Sequence, residues 1–283
     1  MSELRPVSAE DATPAATQGA RDRRPILELE NVTMTFGGLR AVDGLSFTVF
    51  EGEIVGLIGP NGAGKTTVFN CVTQFYKQYK GLIRLTNGDG PVDLRSVPVT
   101  QVVRHGITRT FQNLDLVPDL SIEDNVLVGA HTRFRTGVIS HLLRTPRARN
   151  EETEMRHRAE EVLDFLGIAH LKDLYVAGQP YGILKKVEIA RTLMAEPRLI
   201  ILDEPAAGLN DQETKALDAL IYQIRERFRT TVLLIEHNMA LVMNVCDRVC
   251  AINFGKFLAM GTPATIQRNP QVQEAYLGKD EHL

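Results

Sequence analysis

What the 283 residues lack narrows the field first. No apolar stretch comes near the roughly 20 residues that a membrane-crossing helix needs; the apolar runs are short, as at Ile54–Ile58, Leu199–Leu202 and Val232–Ile235. The N-terminus has no charged, apolar and small-residue succession of the kind that marks a secretory signal. Together these absences predict a cytoplasmic chain whose membrane role, if it has one, comes through a partner. A basic excess is also missing. Lys and Arg number 32 against 35 Asp and Glu, a formal charge of −3, which argues against a surface built chiefly to hold nucleic acid. Cysteine is scarce. Cys71, Cys246 and Cys250 show no pair-of-pairs spacing. Two metal ligands on one helix face at 246 and 250 would need a His or a second Cys pair nearby, so buried thiols are the better reading.

What is present has the composition of an ordinary globular protein, 43% hydrophobic and 24% charged. Residues 1–24 carry almost no large apolar side chain and read as a disordered tail. From Ile26 the texture changes. Ile26–Val32 and Leu45–Val49 alternate apolar and polar like half-buried strands, with Gly37-Gly38 as a turn between them. Ile54–Ile58 is continuously apolar, as a strand covered on both faces must be. From about 115 to 180 the pattern becomes helical, clearest over Glu151–Gly167, and Arg133, Arg135, Arg144, Arg147 and Arg149 cluster in the connection before that helix. Such a cluster is usually a solvated face; a lipid or partner contact is the sharper alternative. Apolar strands return at Leu199–Leu202 and Val232–Ile235, with a helix over Gln212–Phe228 between them.

Gly59-Pro60-Asn61-Gly62-Ala63-Gly64-Lys65-Thr66-Thr67 fits G-x-x-x-x-G-K-[ST] directly after the buried strand. Glycines let successive backbone N–H groups converge on phosphate oxygens, and the following helix adds the positive end of its dipole. Lys65 supplies a full charge at the β- and γ-phosphates, and the Thr66 hydroxyl suits a Mg²⁺ shell. The chain has one such element, hence a single nucleotide unit. A second apolar strand ends in Asp203-Glu204-Pro205. A sheet edge delivers both carboxylates to where ligands of open α/β sheets bind: Asp203 toward Mg²⁺, Glu204 toward the attacking water as general base. His237 follows the third apolar strand, where a γ-phosphate sensor is wanted.

The order of these elements, with Thr110-Phe111-Gln112 and Tyr181-Gly182 between them, resembles the ABC ATPases over residues 26–260. The resemblance implies an α/β P-loop NTPase core with a parallel central sheet, an antiparallel β subdomain, an inserted helical subdomain at about 115–180 and a helical extension at about 262–283. It implies that Phe36 stacks on adenine, although read alone Phe36 would be a core aromatic as readily. It further implies that Gln112 links Mg²⁺ to the helical subdomain. Tyr181 and Gly182 would be the signature facing a partner's ATP, Gly208-Leu209-Asn210 a dimer seam, and His237 the switch histidine. Asp203-Glu204-Pro205-Ala206-Ala207-Gly208-Leu209-Asn210, Ile235–Met239 and Asn269–Gly278 are similar to the ATP-binding subunits of branched-chain amino acid importers. That likeness implies an ATP- and Mg²⁺-using subunit at the cytoplasmic membrane face, with two transmembrane permease subunits, a second ATPase subunit and an extracytoplasmic solute-binding protein as partners. A urea or amide importer has the same architecture. A soluble, non-transport ABC ATPase would carry two cassettes or a long coiled-coil insertion, and a non-hydrolysing cassette would lack Glu204 or His237.

One departure stands out. Where the family has Leu-Ser-Gly-Gly-Gln or close to it, this chain has Gln179-Pro180-Tyr181-Gly182-Ile183-Leu184, followed by a predicted helix over Lys185–Ala195. Pro180 has neither hydroxyl nor backbone N–H, and Ile183 replaces the Gln. Each hydrogen bond to a charged group is worth roughly 1.5–3 kcal/mol, so this signature is expected to close weakly on its phosphate. A heterodimer with an unlike ATPase is the expectation that follows.

Overall fold

In the computed structural model, residues 23–88, 90–110, 115–134, 136 and 145–277 are described. The expected tail lies almost wholly outside them, as do Arg135, Arg144, Phe111 and Gln112.

The half-buried strands of the N-terminal third form an antiparallel sheet. Pro25–Phe36 (β1) pairs with Leu39–Phe50 (β2) across the two-glycine turn. Both run longer than their alternating cores suggest, because bulges let the pairing continue past Leu29. On its other edge β1 pairs with Lys80–Asn87 (β4), which in turn pairs with Gly90–Asp93 (β5).

The continuous apolar runs build the second sheet. Its order is β10-β9-β3-β8-β7-β6: Lys256–Gly261, Arg248–Asn253, Ile54–Ile58, Thr231–Ile235, Leu199–Asp203 and Ile107–Arg109. All pairings but β9–β10 are parallel. Every residue of β3, β7 and β8 is buried. Strand alternation divides them between two cores: Ile54, Ile58, Ile200, Leu202, Val232 and Leu234 face one side; Val55, Leu57, Leu199, Ile201, Leu233 and Ile235 face the other. Lys65–Val72 (α1) packs in the second core with the antiparallel sheet. Asp211–Phe228 (α5) and Met239–Val245 (α6) pack in the first.

Ile122–Val128 (α2), Pro146–Phe165 (α3) and Tyr181–Leu193 (α4) pack on one another. The helix expected over Glu151–Gly167 begins five residues earlier, because Thr145 caps it through the Ala148 N–H and Pro146 occupies its first turn. Gly167 follows it with φ +69°, the left-handed turn that ends a helix. The helix expected from Lys185 begins at Tyr181, so Pro180 is its N-cap residue rather than a tolerated first-turn proline. Pro263–Gln267 (α7) and Pro270–Leu277 (α8) close the described chain, with Tyr276 against the first core.

Cys246 ends α6 and Cys250 lies in β9, so they share no helix face. Burial pushes both thiols, and Cys71, up to about 12. Arg133 pairs with Glu196 at 2.6 Å, while Arg147 and Arg149 are exposed on α3. No helix among the described residues is long and apolar enough to cross a membrane.

The end of α2 lies close against α4: a Cβ on Gly129 would run into the Arg191 carbonyl oxygen, backbone that cannot swing aside. Gly129→Ala is therefore expected to destabilise the fold by about 1–3 kcal/mol, read as a lowered thermal midpoint with no change in the sheet signal by circular dichroism.

Candidate functional site

Parallel pairing of β3, β8 and β7 brings the loops after them to one sheet edge. The loop after β3 is the phosphate-loop sequence. Gly64 caps α1 with φ +100°, a conformation closed to most side chains, and a Cβ there would strike the Ala41 carbonyl oxygen. A Cβ on Gly59 would strike the Ile252 carbonyl oxygen. The loop is thus pressed between β2 and the β9–β10 turn, where the Gly255 N–H donates to Ala63 O at 2.9 Å. Lys65 is buried and curls over the loop, donating to Gly59 O at 2.6 Å and Pro60 O at 3.1 Å.

A cavity of about 330 Å³ opens on this loop. Asn61, Gly62, Ala63, Gly64, Lys65, Thr66 and Thr67 line it, together with Glu204 from the end of β7. Leu39, Arg40 and Phe254 form its rim. Phe254, in the β9–β10 turn, is 79% exposed. Phe36 does not line this cavity; it ends β1, 42% exposed, edge-to-face with Tyr76 at 5.0 Å. Sequence reasoning missed Phe254 because it lies some 190 residues from the loop it overhangs, an order of separation that no local pattern reports.

Asp203 ends β7, almost fully buried, and Arg109 at the end of β6 pairs with it at 2.8 Å. Arg109 also donates to Asn70 Oδ1 at 2.7 Å, tying β6 to α1. Burial raises the Asp203 carboxyl above its ordinary 3.8, while Arg109 pulls it back and the nearby Glu204 charge pushes it further up. Glu204 follows with φ +48°, unusual for a residue with a side chain. Its N–H donates to Ile235 O at 2.9 Å, stitching the loop after β7 to the end of β8. His237 Nδ1 lies 3.8 Å from Glu204 Oε1, so the two predicted residues do meet.

At the far end of the same loop Gly208 carries φ +80°, and a Cβ there would touch the Tyr181 ring at 3.1 Å. Tyr181 and Gly182, at the start of α4, therefore stand beside Gly208, Leu209 and Asn210. Asn210 caps α5 by accepting from the Gln212 and Glu213 N–H groups. No side chain caps the first turn of α4; the Pro180 carbonyl accepts from Ile183 at 2.9 Å and Leu184 at 3.1 Å.

The side chains around the cavity bring the Lys65 ammonium, the Arg40 guanidinium, the Asn61 amide, two threonine hydroxyls and the Glu204 carboxylate. No group of three or more His, Cys, Asp or Glu among the described residues could hold a metal alone. The Thr66 hydroxyl and the Asp203 carboxylate are oxygens of the kind a magnesium ion takes alongside phosphate oxygens; Gln112 lies outside the described residues.

Arg109→Met is expected to leave Asp203 buried without its cation, costing about 3 kcal/mol at neutral pH. For a carboxyl raised on folding, the folded state holds its proton longer, so its stabilising share falls as pH rises between the unfolded and folded values. Losing Arg109 raises Asp203 further. The variant's deficit in thermal midpoint should therefore be large at pH 7 and shrink toward pH about 4.

The ABC transporter family model matches residues 42–207, and that of the branched-chain amino acid ATP-binding cassette transporter matches residues 258–282. The high-affinity branched-chain amino acid transport ATP-binding protein LivG of Salmonella typhimurium is 45% identical over 256 residues, 90% of this chain and 99% of that protein. BraF of Pseudomonas aeruginosa, with the same description, is also 45% identical over the same shares. Among solved structures, the ADP conformation of an ATP-binding cassette of an ABC transporter is 30% identical with a TM-score of 0.77, over 90% of this chain and 99% of that one.

Proposed function

This chain belongs to the ABC transporter family, as one of its ATP-binding, ATP-hydrolysing subunits, and from that premise we propose that it energises the import of branched-chain amino acids. The observation that carries the catalytic part is that Lys65, Thr66, Thr67 and Glu204 line one and the same cavity. The solute class rests on LivG and BraF and on the match of residues 258–282.

In this reading the Gly59–Thr67 loop wraps the phosphates with its N–H groups, and Lys65 exchanges the carbonyls of Gly59 and Pro60 for β- and γ-phosphate oxygens. Phe36 stacks on the base. Glu204 accepts a proton from the water that attacks the γ-phosphorus, and ADP departs as the bond to its β-phosphate oxygen breaks. His237, 3.8 Å away, holds Glu204 and the γ-phosphate in register. Thr66, Asp203 and Gln112 would hold the Mg²⁺, which would supply charge neutralisation on the phosphates.

The chain acts at the cytoplasmic membrane face through two permease subunits, fed by an extracytoplasmic solute-binding protein. Its ATPase partner is an unlike chain. Pro180 and Ile183 at the start of α4 support this: the signature end of that helix has no capping side chain, while the chain's own Lys65 and Glu204 are complete and can work against a standard signature.

Three measurements test these statements. Glu204→Gln should keep ATP affinity while turnover falls by about a hundredfold or more; unchanged turnover removes Glu204 from catalysis. The purified chain alone should hydrolyse ATP slowly and gain on mixing with its unlike partner, whereas robust turnover rising cooperatively with its own concentration refutes the heterodimer. Proteoliposomes holding the complete transporter should take up leucine, isoleucine and valine on ATP addition; uptake of urea in their place refutes the solute class.

A further inference from the structure

Glu236 was not among the sequence-predicted site residues, yet its side chain joins the two loops that carry them. It follows β8 directly and is fully buried, 0% exposed. A buried carboxylate persists only where hydrogen bonds replace its water. Here Oε1 accepts from the Ala206 N–H at 2.8 Å, two residues beyond Glu204. Oε2 accepts from the N–H groups of His237 and Asn238, both at 3.1 Å. The His237 ring nitrogen lies 3.9 Å from that oxygen, too far for a hydrogen bond, so the grip is on backbone. One carboxylate therefore spans the turn Glu204-Pro205-Ala206-Ala207 and the start of the turn before α6.

We infer that Glu236 is a positioning residue for ATP hydrolysis: it sets the separation of Glu204 from His237 by clamping the backbone of the two loops that carry them, at Ala206 and at His237-Asn238. The clamp works with the Glu204 N–H bond to Ile235 O. The two fix Glu204 from both ends of its turn, and that turn holds Glu204 at positive φ, a conformation that persists only when its surroundings over-determine it. Glutamate suits the task because it offers acceptors alone, on two oxygens pointing to different loops. Glutamine has the same shape but turns one of those oxygens into a donor facing an N–H donor. The phosphate loop makes no hydrogen bond to Glu236, so nucleotide binding and turnover should separate.

The inference rests on the reading of Glu204 as the carboxylate that activates water, and Glu204→Gln run in parallel distinguishes the two. In the intact transporter, Glu236→Gln is expected to lower kcat about tenfold or more, with KM for ATP, and the Kd of the full chain for ATP, within about twofold of the parent. Glu236→Asp keeps both acceptors on a shorter stem, and its kcat should fall between the parent and the Gln variant, at least about threefold below the parent. In a His237→Ala background the Glu236→Gln step should cost under about threefold, since the pair it aligns is already broken. Glu236→Gln turnover within about twofold of the parent overturns the inference. So does a loss of kcat that tracks an equal loss of ATP affinity and thermal midpoint. Should the Gln variant not fold, a folded Asp variant with parental kcat overturns it equally. If Glu204→Gln turns over normally, the reading of Glu204 fails instead; if Glu204→Gln is inactive and Glu236→Gln normal, only the role of Glu236 falls.

Discussion

The central strand β8 sits between β3 and β7, hydrogen-bonded to both along its length, and the chemistry of the molecule depends on that placement. Backbone bonds fix strand spacing to a few tenths of an ångström, so three loops that leave these strands emerge at set distances from one another. The phosphate loop leaves β3, Asp203-Glu204 ends β7, and Glu236-His237 follows β8 between them. A strand inserted or lost at β8 would separate the Glu204 side chain from His237, which now lie 3.8 Å apart. Burial of every residue of the three strands makes such slippage costly, because it would move apolar side chains off both cores at once.

The features legible in the sequence were those whose physical cause is local. A buried parallel strand must be apolar throughout, so β3, β7 and β8 announce themselves as unbroken runs, and the motifs at their ends are thereby placed on one edge. A phosphate loop needs glycines where backbone meets backbone, and Gly59 and Gly64 meet it. The start of α4 was not legible from Lys185 onward, because a proline reads as an interruption whether it caps a helix or breaks it; only the extended backbone at Pro180 distinguishes the two. The partners of the site residues were not legible at all. Arg109 reaches Asp203 across 94 positions and Glu236 reaches Ala206 across 30, and each is chosen by the sheet's strand order rather than by any neighbouring residue. Phe254 belongs with them.

The site also divides into parts of unlike character. Asp203, Glu236 and Lys65 are buried and bound by several hydrogen bonds or ion pairs. His237, Phe36, Leu39 and Phe254 stand in solvent. The buried set is fixed by the fold. The exposed set faces solvent, where an incoming nucleotide can reach it.

The floor of the phosphate loop is made of contacts between main chains: Gly64 on Ala41, Gly59 on Ile252, Gly255 on Ala41 and Ala63. Where main chain touches main chain there is no side chain through which heredity can make a small adjustment. A side chain added at Gly59, Gly64 or Gly255 would collide with a backbone carbonyl oxygen that cannot swing aside, so these three positions admit no gradual substitution. Substitution is freer at the rim, where Leu39, Arg40 and Phe254 are exposed and can each be exchanged one atom group at a time. The loop thus tolerates drift along its outer edge and none on its floor.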